Sequence, residues 1–171
     1  MHSVENYRRW FDYEKDSHAR VIDSLQSIKD DYRSSSSFQK AVDLMAHLIA
    51  ARKMWLYRFG FVKENTELFP RNVQFPALVG QLAEMEAGWS EYLEKLTATE
   101  LERVFEYQSY EGSRFRNTVE DILTQLFGHS WYHRGQIAAL VRALGAEPAV
   151  TDFVFWSREL VEDKSERGEL K

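Results

Sequence analysis

Residues 60–76 read GFVKENTELFPRNVQFP, and this stretch decides the architecture. It holds two of the chain's three prolines and sustains no hydrophobic period. Upstream, Leu44, His47, Leu48, Ala51, Met54 and Trp55 recur at helical spacing. Ser36 or Ser37 is placed to cap that helix, and Gly60 to stop it after Phe59. Downstream, Leu78, Leu82, Met85, Trp89 and Leu93 mark a second apolar face over residues 77–96. A tight antiparallel turn between helices needs only about two to eight residues, so this segment reads as a long crossover.

Working outward, Tyr7, Phe11, Val21, Leu25, Ile28 and Tyr32 predict a first helix over residues 3–32, ended by the polar run Arg33–Ser37. After the third helix, Phe105, Tyr107 and Ser109 alternate with Glu106 and Gln108, and Phe115 stands between Arg114 and Arg116. That alternation around YEGS predicts a short β-hairpin. Asn117 or Thr118 then caps the last helix, with Glu120 or Asp121 set for a capping box, and Gly145 with Pro148 ends it after Leu144. Four long helices with one long crossover between the second and third predict an all-α four-helix bundle, with the hairpin before helix four. Residues 1–161 read as one domain and 162–171 as a solvated tail.

Composition narrows the chemistry. The formal net charge is −5 and no Lys/Arg cluster occurs, which argues against nucleic acid as a partner. Cysteine is absent, which removes disulfides, thiolate ligands and a cysteine nucleophile. No apolar run reaches the ~20 residues of a membrane span, and the first residues lack a secretory apolar core, so a cytoplasmic protein with no membrane partner is expected.

Residues 127–137, FGHSWYHRGQI, put His129 and His133 four apart on one face of the last helix. An HxxxH pair is weak on its own, because two histidines hydrogen-bonded in the core give the same pattern. His47 interrupts the apolar stripe of another helix, so three imidazoles from two helices match the ligand set of an open, zinc-type site. In the first helix Glu14 and His18 replace apolar residues in the stripe Tyr7, Phe11, Val21, Leu25. Either both face the same cavity as supporting groups, with His18 also a candidate ligand, or the stripe rotates and both are solvated. Gln136 lies about 20° from His129 on the helical wheel, on the ligand side. Arg134 points well over 90° away and reads as an ion-pair or interface residue. Gly135 reads as an aid to close helix packing, and Tyr132 as a wall of a pocket or of the core. HExxH, ExxH, GxGxxG, P-loop and Gly-x-Ser-x-Gly patterns are all absent.

Three segments, HLIAARKMWLYRF, YEGSRFRNTVEDILTQLFGHSWYHRGQIAALVRALGAEP and TDFVFW, resemble the DinB/YfiT-like family. The resemblance implies up-down-down-up topology and a divalent metal, zinc or nickel, on His47, His129 and His133. It also implies homodimers, and relatives that are thiol-S-transferases using low-molecular-weight thiols such as bacillithiol, or a mycothiol-dependent isomerase. One departure is His18, at a position where such sequences often carry Asn. The expectation is thus a metal-dependent transferase or hydrolase that activates a thiol or water against a small electrophilic substrate, with Gln136, Glu14 and His18 as supporting residues. The alternative is a non-catalytic metal-binding or dimerising bundle protein.

Overall fold

The structure is a computed structural model, and it describes residues 3–109 and 111–160. The tail expected at 162–171 lies outside them. Along the chain the elements are α1 (Val4–Gln26), α2 (Asp30–Arg33), α3 (Ser36–Arg58), α4 (Phe75–Glu94), α5 (Ala98–Glu102), β1 (Val104–Gln108), β2 (Arg114–Thr118), α6 (Val119–Ala143) and α7 (Phe153–Ser157). The fold is mostly helical, with one small antiparallel sheet, β1 beside β2. No helix among the described residues is long and apolar enough to cross a membrane.

The first helix is shorter than its hydrophobic period suggested. It stops at Ser27, whose hydroxyl turns back to the Ser24 carbonyl at 2.8 Å. Arg33 then donates to the carbonyls of Gln26 and Ile28, satisfying groups the broken helix leaves open. Ile28 stays in the core, but Tyr32, expected on the buried stripe, is 48% exposed on α2.

α3 is capped one residue before the expected serines, by Ser35, whose side chain accepts from Phe38 N at 3.2 Å. Its end is a Schellman turn. Gly60 N–H reaches Tyr57 O and Phe61 N–H reaches Leu56 O, both at 2.9 Å, and Gly60 takes the required positive φ of 75°. The crossover follows and is pinned to α3. Asp43 accepts from the N–H groups of Asn72 and Val73, and Gln39 donates to Val73 O. Pro76 sits in the first turn of α4, where a missing N–H costs nothing. All five apolar positions read from the sequence of this helix, Leu78, Leu82, Met85, Trp89 and Leu93, are buried.

α3 packs between α4 and α6, and α1 packs on α4 and α6 from the opposite side. Close approach of α3 and α4 is helped by Gly88, where an added Cβ would stand 3.1 Å from Leu56 Cδ1. The hairpin pairs Phe105 with Asn117 and Tyr107 with Phe115. It lays Phe105 against Trp55 of α3 and Phe59 just past its end. Thr118 and Asp121 form a complete capping box at the start of α6. Two short helices, α5 and α7, were not anticipated. Each has at most a single buried residue, so neither carries a readable apolar stripe.

Candidate metal centre

α3 delivers His47, and α6 delivers His129 and His133 from successive turns. Their nearest ring nitrogens all lie within 4.8 Å of one another. His129 Nε2 is 3.1 Å from His47 Nε2 and 3.0 Å from His133 Nε2. The far nitrogens decide the protonation pattern. His47 Nδ1 is 2.7 Å from the Leu68 carbonyl, which only accepts, so the proton is on Nδ1. His133 Nδ1 is 2.8 Å from Gln136 Oε1, which likewise only accepts. In their neutral forms both rings therefore present a bare Nε2 to His129. One N–H on His129 can satisfy only one of them, so at least one pair of lone pairs meets at about 3 Å. A cation between the three nitrogens removes that conflict, and the donor set fits one. Ligand nitrogens of a tetrahedral zinc site, at ~2.0–2.1 Å from the ion, stand roughly 3.4 Å apart.

The electrostatics agree with that use. Burial, then the neighbouring rings of His133 and His47, lower the pKa of His129 to about 4. Burial also lowers His133, against the opposing pull of its bond to Gln136. Both are neutral at pH 7 and can accept an ion without first losing a proton. Each of the three is only partly buried. Phe69, 57% exposed, stacks on His47 with ring centres 5.0 Å apart, and Tyr132, 64% exposed, stands edge-on to His133 at 5.0 Å. The crossover thus gives His47 both its carbonyl acceptor and its ring neighbour.

Beside the triad lies a buried polar layer. Glu14 (0% exposed) accepts from Arg52 Nε at 3.0 Å, from Arg52 Nη2, and from the Ser130 hydroxyl. His18 (1% exposed) places Nε2 3.5 Å from Glu14 Oε1 and Nδ1 3.2 Å from Glu86 Oε1. The Arg52 guanidinium is surrounded by the rings of Phe11, Trp89 and Phe127 at 5.1–5.4 Å. Burial pushes the Arg52 pKa down, and the attraction of Glu14 opposes this. The layer is felt at the triad, because Arg52 lowers and Glu14 raises the proton affinity of His129.

The structure therefore brings together His47, His129 and His133, and sets Gln136 against His133. Glu14 and His18 both point inward, into the layer beside the histidines. The ligand cluster found among the described residues does not include His18, which is turned to Glu14 and Glu86 instead. Two readings need correction. Arg134 is 2% exposed and makes no ion pair among the described residues, and its Nη2 donates to the Tyr13 hydroxyl at 2.7 Å. A helix residue turned from one buried face can still meet a second neighbour, here α1. Gly135 does not serve close packing, since a Cβ there would meet nothing within 4 Å. Sequence reasoning passed over Arg52, Ser130 and the Leu68 carbonyl. Arg52 had a signal, because it continues the buried spacing Met45, Leu48, Ile49 and Leu56. The carbonyl had none, since its position depends on how the crossover folds back.

No curated protein matches the sequence. The model of the DinB family matches residues 1–165, which takes in all three histidines and both helices that carry them. The chain belongs to the DinB family.

Proposed function

We propose that this protein is a metal-dependent enzyme in which His47, His129 and His133 hold a divalent ion, zinc or nickel. The chemistry is thiol S-transfer or hydrolysis on a small electrophilic substrate. The four long helices are read as an up-down-down-up four-helix bundle, and the working unit as a homodimer. The observation that carries the proposal is the convergence of Nε2 atoms, two of them fixed as bare acceptors by Leu68 O and Gln136 Oε1. A bound divalent ion lowers the pKa of a thiol or water beside it, so that a nucleophile is available at neutral pH. Three protein ligands leave a position for that nucleophile. The absence of cysteine means that any thiol comes with the substrate. Phe69 and Tyr132 flank the half-exposed histidines and offer ring surfaces to the apolar part of a substrate. Gln136 keeps His133 in the tautomer and orientation a ligand needs. Arg52 and Glu14 set the charge behind His129, His18 packs against Glu14, and none of them touches the reacting atoms.

The test is metal analysis of protein purified without a histidine tag, followed by a conjugation screen of small thiols with a chromogenic electrophile. One equivalent of metal and metal-dependent conjugation or hydrolysis are expected. Loss of metal with His47→Ala, His129→Ala and His133→Ala should abolish turnover. If all three substitutions together leave metal content and thermal stability unchanged, the reading is wrong. Stoichiometric metal with no turnover across the screen would favour the non-catalytic bundle.

A further inference from the structure

On the opposite side of α6 from the triad, the guanidinium of Arg134 is buried with no ion-pair partner among the described residues. Nη2 donates to the Tyr13 hydroxyl, which in turn donates to Thr151 O. Nε and Nη1 have no hydrogen-bond partner among the described residues. A buried cation with idle N–H groups is costly in a folded protein, and the usual remedy is an anion or ordered water. Arg134 lines a cavity of about 440 Å³, within the size range of small-molecule sites. The rings of Tyr13, Trp131 and Phe153 form apolar walls, and Gly135 and Ala138 leave the helix side open. On a helical wheel Trp131, Arg134, Gly135 and Ala138 lie about 140–240° from His129, so this cavity and the histidines use different faces.

We propose that this cavity is a binding site for a small monocarboxylate with an apolar or aromatic body, its carboxylate on Arg134. Asp152 also lines the cavity and makes no ion pair among the described residues. Its charge opposes any anion, and a doubly charged phosphate about twice as strongly as a singly charged carboxylate. The ring walls favour a flat, apolar body over a compact inorganic ion.

Calorimetric titration of the full chain with benzoate, benzamide and inorganic phosphate tests this. Each titration is run on metal-loaded and chelator-treated protein, because a carboxylate can also bind a metal ion. Benzoate should bind with and without metal, at least tenfold more tightly than benzamide or phosphate. Arg134→Gln should weaken it at least tenfold. Since loss of that guanidinium can also disturb the fold, Gly135→Leu is the second variant. It fills the cavity from a helix position with free space and a better helix former, so the fold is kept while benzoate is excluded. The proposal is overturned if benzoate binds Gly135→Leu as it binds the parent, or binds only metal-loaded protein. It is equally overturned if phosphate binds as well as benzoate, or if nothing binds.

Discussion

Replacing Glu14 with Gln keeps the side-chain volume and removes the one carboxylate ion-paired with the Arg52 guanidinium among the described residues. Both groups are fully enclosed, so water cannot replace the lost partner. Removing one member of a buried ion pair costs about 3–5 kcal/mol, because the survivor remains as an uncompensated buried charge. Two effects could offset this. The rings of Phe11, Trp89 and Phe127 attract the cation by ~0.5–2 kcal/mol each, but they do so equally in parent and variant and cancel from the difference. The Gln amide still accepts one hydrogen bond, which returns ~1 kcal/mol at most. The expected loss is therefore about 2–4 kcal/mol, roughly 4–16 °C in Tm for a chain of this length. Chemical denaturation in chelator, which holds the metal contribution at zero, measures it. The double variant Glu14→Leu with Arg52→Met removes both charges and should recover to within ~1–2 kcal/mol of the parent. A loss below about 1 kcal/mol for Glu14→Gln, or a double variant as unstable as the single, would refute the reasoning.

Three more outcomes follow from named contacts. His129 has a depressed pKa of about 4 in the folded chain against 6.5 in the unfolded one, so unfolding takes up a proton between those values. Metal-free protein should be most stable above pH 6.5 and lose stability as the pH falls from 6.5 towards 4, as urea titrations at pH 7 and pH 5 would show. Gln136→Ala frees His133 from its orienting acceptor and should weaken metal binding about 10–100-fold without a comparable loss of metal-free stability, measured by competition with a chelator. Thr118→Ala removes the N-cap of α6 and should cost about 1 kcal/mol in denaturant, with Thr118→Ser close to the parent.

The helices that bury one clean stripe were legible, and the reason is visible in α4, where Leu78, Leu82, Met85, Trp89 and Leu93 recur at spacing three or four and are all in the core. α1 and α2 show where periodicity misleads. Apolar spacing continues through Ile28 to Tyr32, but Ser24, Ser27 and Arg33 offer the backbone side-chain bonds that compete with another helical turn. α5 and α7 are too short and too exposed for a period to exist. At the site, His47, His129 and His133 were readable because each is polar on an otherwise apolar face. Glu14 and His18 carried the same mark, and the structure puts both inside. Arg134 was misjudged because a helical wheel reports direction relative to one neighbour, whereas α6 touches α1 as well as α3.

That last point bears on how one helix can serve two sites. α6 carries two interleaved i,i+4 pairs, His129 with His133 and Ser130 with Arg134, offset by one residue and hence by about 100°. The first pair meets His47 of α3, and the second meets Glu14 and Tyr13 of α1. Because the offset is one residue, neither pair can rotate without carrying the other. Turning α6 to improve the histidine geometry would pull Ser130 off Glu14 and Arg134 off Tyr13. The buried bonds to α1 therefore act as a rotational stop that keeps His129 and His133 turned towards His47. A site kept in place by packing on another helix enters metal binding preorganised, so the ion's binding energy is not consumed in ordering α6.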